Sequence, residues 1–153
     1  MKKTTILLVV VSLVAIFFCR LWVREITEHH TEMEQRCQRY AEQAAGALVT
    51  YEEFKDINDE NHISQYWHSV SIFYAFIDTL YSLSDNGDWN ELLYKDCDIL
   101  YDHMLLAPEE VFAHMDDVLA AVELLSEDYT SPEARRAMNH LAYNMQYDTW
   151  ETE

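Results

Sequence analysis

Glycine and proline are nearly absent: Gly46, Gly87, Pro108 and Pro132 are all that the 153 residues contain. Two isolated glycines exclude a phosphate-cradling loop, so nucleotide-dependent chemistry has no motif to rest on. Because 50% of the residues are hydrophobic, the composition also lies far from disordered or low-complexity classes. Cysteine is scarce too. Cys19, Cys37 and Cys97 are an odd set without C-x-x-C spacing, which excludes the usual zinc and thioredoxin-like signatures. Cys37 and Cys97 could pair in a disulfide if the body lies outside the cytoplasm, but both fall on apolar helical faces and are expected as buried free thiols. The largest deficit is in positive charge. From Glu25 onward 6 basic groups face 28 acidic ones, a net charge of -22. Such a surface repels phosphate backbones, which excludes nucleic acid as a partner, and it stands off from anionic head groups. Basic proteins, cationic peptides or divalent ions are what this field attracts.

What is present is an apolar amino-terminal stretch. Lys2 and Lys3 precede a run from Ile6 that includes Phe17 and Phe18, carries Arg20, and ends at Trp22 and Val23. Thr4 to Val23 would make about 30 Å of helix, the thickness of a bilayer's hydrocarbon core, so the pattern predicts a single transmembrane helix. Bulky Phe17 and Phe18 before Cys19 argue against a cleaved signal or a lipoprotein site, which leaves an uncleaved anchor over residues 1–24. The basic start places the body outside the cytoplasm, whereas Arg20, Arg24, Arg36 and Arg39 favour the reverse. The first cue is preferred, because long domains translocate largely regardless of charge.

The remainder reads as all-α, an antiparallel bundle of about four to five helices. A membrane-proximal amphipathic helix over 25–57 carries Ile26, Met33, Cys37, Ala44, Leu48 and Tyr51 on one stripe and can run unbroken out of the anchor to about Phe54. The bundle proper spans 58–148. Its second helix starts near Ile63 and is apolar on two sides, with Tyr66, Trp67, Val70, Phe73, Tyr74, Ile77, Leu80 and Tyr81 on one face, which marks it as the most buried element. Asn86-Gly87 and Asp88 with Glu91 predict a stop and a new start. Pro108 opens a fourth helix running past Leu125, and Thr130-Ser-Pro-Glu133 opens a fifth. Residues 149–153 are expected to fray.

Candidate chemistry is sparse. Glu25 with His29, and His30 with Glu34, share helix faces at four-residue spacing and are the best, weak case for a metal. The paired Glu-x-x-His motifs of di-iron bundles, His-Glu-x-x-His and a complete calcium loop are all missing. His68, His103, His114 and His140 are scattered singly, with no nucleophile in a recognisable setting. No catalytic residue and no cofactor is therefore assigned. Tyrosine is abundant at ten residues, and most are expected in the core. Were several of Tyr66, Tyr74, Tyr81, Tyr94 and Tyr101 exposed together, they would mark a binding groove.

These features predict a non-enzymatic, single-pass acidic protein at the outer face of a bacterial cytoplasmic membrane, where it docks another envelope protein or associates with itself. The alternative is a helical module that senses a small molecule or cation through an aromatic pocket.

Overall fold

The structure, a computed structural model, describes residues 2–55, 60–84 and 89–150, with side chains from 11 in the first stretch and from 63 in the second. It consists of helices α1 (Lys2–Phe54), α2 (Glu60–Leu83), α3 (Trp89–Leu106), α4 (Pro108–Ala113), α5 (Met115–Asp128) and α6 (Pro132–Tyr147). No strand occurs among the described residues. The three-and-four periodicity thus reads out as an all-helical fold, and α1 ends at the predicted Phe54.

The transmembrane helix is a correction. Over the described residues no helix is long and apolar enough to cross a membrane. Arg20 interrupts the apolar run near its end, and Arg24 and Glu25 follow it directly. The single-pass, signal-anchor description loses its support accordingly. The chain divides into two compact units, Met1–Glu34 and Gln35–Glu153.

The second unit holds the core. α2 packs on α3, α3 on α6, and α5 on α6. Ring pairs fix the directions: Tyr74 meets Tyr101 and Tyr81 meets Tyr94, so α2 and α3 are antiparallel. Gln38 donates to the Ser126 carbonyl at 2.6 Å while Tyr51 stacks on Phe112 at 5.5 Å, which sets Gln35–Phe54 of α1 antiparallel to α4 and α5. Asn139 meets Asp96 and Arg135 meets Trp89, which makes α3 and α6 parallel. An alternating up-and-down order results, as short links dictate. Phe73, Phe76, Leu80, Leu100, Met104 and Met138 are fully buried and form its centre. Burying each such side chain contributes about 1.5–3 kcal/mol, the main force holding the helices together.

Several local signals act as the sequence indicates. Ser131 caps α6, its Oγ accepting from the Ala134 N–H at 3.1 Å, and Pro132 occupies the first turn, where no amide hydrogen is needed. Asp148 closes α6 in the left-handed region at φ 50°, its N–H donating to Asn144. The predicted cap at 56–61 and the Asn86-Gly87-Asp88 turn lie largely outside the described residues.

Two differences matter. The predicted fourth helix is broken at His114 (φ -123°, ψ 32°), whose N–H is shared between the Glu110 and Val111 carbonyls before α5 resumes with Val118 bonded to His114. Neither proline nor glycine stands there; the His114 ring instead lies flat on Trp150, centroids 3.6 Å apart. That stack, with the hydroxyl of Thr149 on Asn144 at 3.1 Å, ties down residues 149 and 150; residues 151–153 lie outside the described set. The second difference is in α2. Tyr66, Val70, Phe73, Phe76, Ile77, Leu80 and Leu83 are buried, but Trp67, Tyr74 and Tyr81 from the expected core stripe are exposed.

Candidate functional site

Glu25, His29, His30 and Glu34 all lie exposed on α1. His30 Nδ1 approaches Glu34 at 3.4 Å, and Arg24 pairs with Glu28 at 2.6 Å. Among the described residues no group of three or more His, Cys, Asp or Glu side chains is arranged to hold a metal ion. Phe17, Phe18, Arg20, Trp22 and Val23 are exposed on the same helix, while the side chains of Lys2, Lys3 and Ile6 lie outside the described residues. Two histidines of the body have local partners: His103 reaches the Ile99 carbonyl at 2.8 Å and Glu110 at 3.6 Å, and His140 meets Asn144 at 3.4 Å.

Cys37 and Cys97 are buried free thiols, as their helical faces predict. Burial pushes the Cys37 thiol up to about 12, partly offset by a hydrogen bond with Tyr129, and lifts Cys97 well above its ordinary value. Both are structural in character.

The tyrosines gather elsewhere. On α2, Tyr74, Asp78 and Tyr81 occur at spacings of four and three, and on α3 Tyr94, Asp98 and Tyr101 repeat the same Y-x-x-x-D-x-x-Y pattern. Antiparallel packing pairs the two motifs head to tail. Tyr74 lies 5.4 Å from Tyr101 and Tyr81 lies 5.1 Å from Tyr94, which leaves Asp78 and Asp98 at the midpoint of each run. Tyr74 and Tyr81 are 52% and 62% exposed, so the rings are presented to solvent rather than to the core. Asp102, also exposed, extends the acidic edge.

The electrostatics follow from this placement. Partial burial, then Asp98 and Tyr81, raises the Tyr94 phenol; partial burial, then Tyr74 and Asp102, raises Tyr101. Partial burial and the Asp102 charge raise Asp98. The face thus combines tyrosine π-surfaces with carboxylates. Lys95, the base nearest in sequence, is held by Glu91 at 2.7 Å. Tyr66 is different: it is buried, and its hydroxyl donates to the Met104 carbonyl at 2.8 Å.

On the opposite side of α3, a cleft of about 760 Å³ opens toward α6. Trp89 and Leu92 form an exposed wall and Leu93 a buried floor. At its polar end Asn139 Nδ2 donates to both oxygens of Asp96 at 3.2 and 3.3 Å. Burial raises the Asp96 carboxyl, against the lowering effect of that amide. One turn earlier on α6, the Arg135 guanidinium sits 5.5 Å above the Trp89 ring.

Sequence reasoning singled out the tyrosines but expected them inside. The repeated tyrosine and aspartate spacing was the available signal, since a carboxylate between two rings on one stripe is out of place in a core. No family model, no curated protein and no solved structure matches the chain.

Proposed function

We propose that the protein is a docking module whose α2/α3 face receives an arginine- or lysine-rich segment of a partner protein. The observation that carries this reading is the pairing of Tyr74 with Tyr101 and of Tyr81 with Tyr94 around Asp78 and Asp98. Aromatic faces attract cations through the ring quadrupole, worth about 0.5–1 kcal/mol at exposed sites, and tyrosine is a preferred contact residue at protein interfaces. The carboxylates add directional, charge-assisted hydrogen bonds. Around the face, Gln35–Glu153 carries 6 basic against 24 acidic residues, a field that steers a basic segment inward.

The test is titration of the full chain with a short arginine–serine repeat peptide. Replacing Tyr74 and Tyr101 together by Ser is expected to weaken binding about tenfold at fixed salt. Changing Asp78 and Asp98 to Asn should weaken it similarly and flatten its salt dependence. The pair Asp116 and Asp117 on α5, exposed and remote in sequence, serves as the control. Equal losses when those two are changed to Asn would show that general charge, and not this face, does the binding.

A further inference from the structure

The α3/α6 cleft lies on the other side of α3 from the tyrosine face and has a different chemistry. Its apolar part is unusual for a surface: Trp89 is 67% and Leu92 51% exposed, side by side over buried Leu93. Its lining carries Asp96 at one end and, a turn away on α6, Arg135 and Arg136. Arg135 Nε is buried yet donates to no acceptor. An unsatisfied donor is rare in a folded protein and marks a place where an acceptor belongs. Neighbouring Arg136 is already engaged by Glu133 at 3.0 Å and by the Pro132 carbonyl at 3.1 Å, so Arg135 is the cation with donor capacity to spare. Asp96 accepts a single amide nitrogen from Asn139. A carboxylate offers about four acceptor positions, so capacity remains for a second donor.

Two opposite charges beside an apolar wall define the ligand. A simple anion would meet Asp96, and a simple cation would meet Arg135. A zwitterion satisfies both. Asn139, which marks the position of Asp96, lies four residues beyond Arg135 on α6, about 6 Å along the helix. The free amine and carboxylate of an extended dipeptide are separated by a comparable span, at about 3.3–3.6 Å per residue. The cleft volume of about 760 Å³ falls within the usual range of small-ligand sites, roughly 300–1,000 Å³.

We infer that this cleft binds a short apolar peptide of dipeptide size, its terminal ammonium on Asp96, its terminal carboxylate on Arg135, and its side chains against Trp89 and Leu92. Charge-assisted pairs at both ends would hold the ligand in one direction, and the ammonium would favour the ionised form of Asp96 that burial disfavours.

The experiment is a nuclear magnetic resonance titration of the full chain with leucyl-phenylalanine, its N-acetyl form and its C-terminal amide, following the Trp89 indole N–H. The free dipeptide is expected to shift that signal and to bind at least about tenfold more tightly than either blocked form. Asp96→Asn should lower the dipeptide to the affinity of the N-acetyl form while leaving that form unchanged, which also reports that the variant is folded. Arg135→Gln should do the same with respect to the amide. Equal affinity for all three ligands, or a Trp89 signal that no ligand moves, would overturn the assignment. Neither result bears on the tyrosine face, whose residues these variants leave intact.

Discussion

The stretch up to Glu34 and the body from Gln35 spend similar side chains on opposite ends. In the first, Phe17, Phe18 and Trp22 are 60%, 64% and 67% exposed, and four basic residues balance four acidic ones. In the second, Phe73 and Phe76 are fully buried, while 24 acidic residues outnumber 6 basic ones. Hydrophobic residues alone do not make a core. In the body, apolar residues recur every three or four positions and charged residues fill the gaps, so each helix has a face to bury and a face to solvate. In the amino-terminal stretch the apolar residues run all round the helix, and no single face is defined.

The cysteines offer the sharpest contrast between the two units. Cys19 is exposed, whereas Cys37 and Cys97 are buried. An impermeant thiol reagent is expected to label Cys19 at the rate of a free thiol and the other two about a thousandfold more slowly or less, because they react only when the body opens. The thiol of Cys37, raised to about 12, adds to that protection by keeping its thiolate scarce. Equal labelling of all three would erase the distinction. Substitution gives the next largest effect. Phe73→Ala removes a fully buried ring and should cost about 3–5 kcal/mol in a urea unfolding curve. Phe18→Ala should stay within about 0.5 kcal/mol. A comparable loss from Phe18 would mean that the amino-terminal stretch contributes to the cooperative core after all.

How much of this was legible depended on whether the signal was local. The end of α1 at Phe54, Pro108 opening α4, and Ser131-Pro132 opening α6 follow from charge breaks, caps and proline geometry, which need no tertiary knowledge. The periodicity puts Trp89, Leu92, Leu93, Cys97, Leu100 and Met104 on one stripe of α3, of which the last four are buried and the first two exposed, and Ala134, Met138, Leu141 and Met145 on that of α6, all buried. The inward face of α2 was not decidable that way. Tyr74 is adjacent to Phe73, and Tyr81 to Leu80, so a broad stripe includes them all. Only the packing partners select Phe73 and Leu80 for the core. At the break, His114 stacks on a ring 36 positions later, and the α3/α6 cleft joins residues 43 apart. The membrane span is the exception: hydropathy from Thr4 to Val23 suggests one, yet over the described residues no helix is long and apolar enough to cross a membrane.

The account rests on cations being received by the paired tyrosines and not by the acidic surface at large. Chemical-shift mapping of the full chain with the arginine–serine peptide tests this directly. The predicted result is a set of perturbations confined to Tyr74, Asp78, Tyr81, Tyr94, Asp98, Tyr101 and their neighbours. Perturbations spread evenly over α5 and α6, with the tyrosine resonances no more affected than the rest, would contradict it.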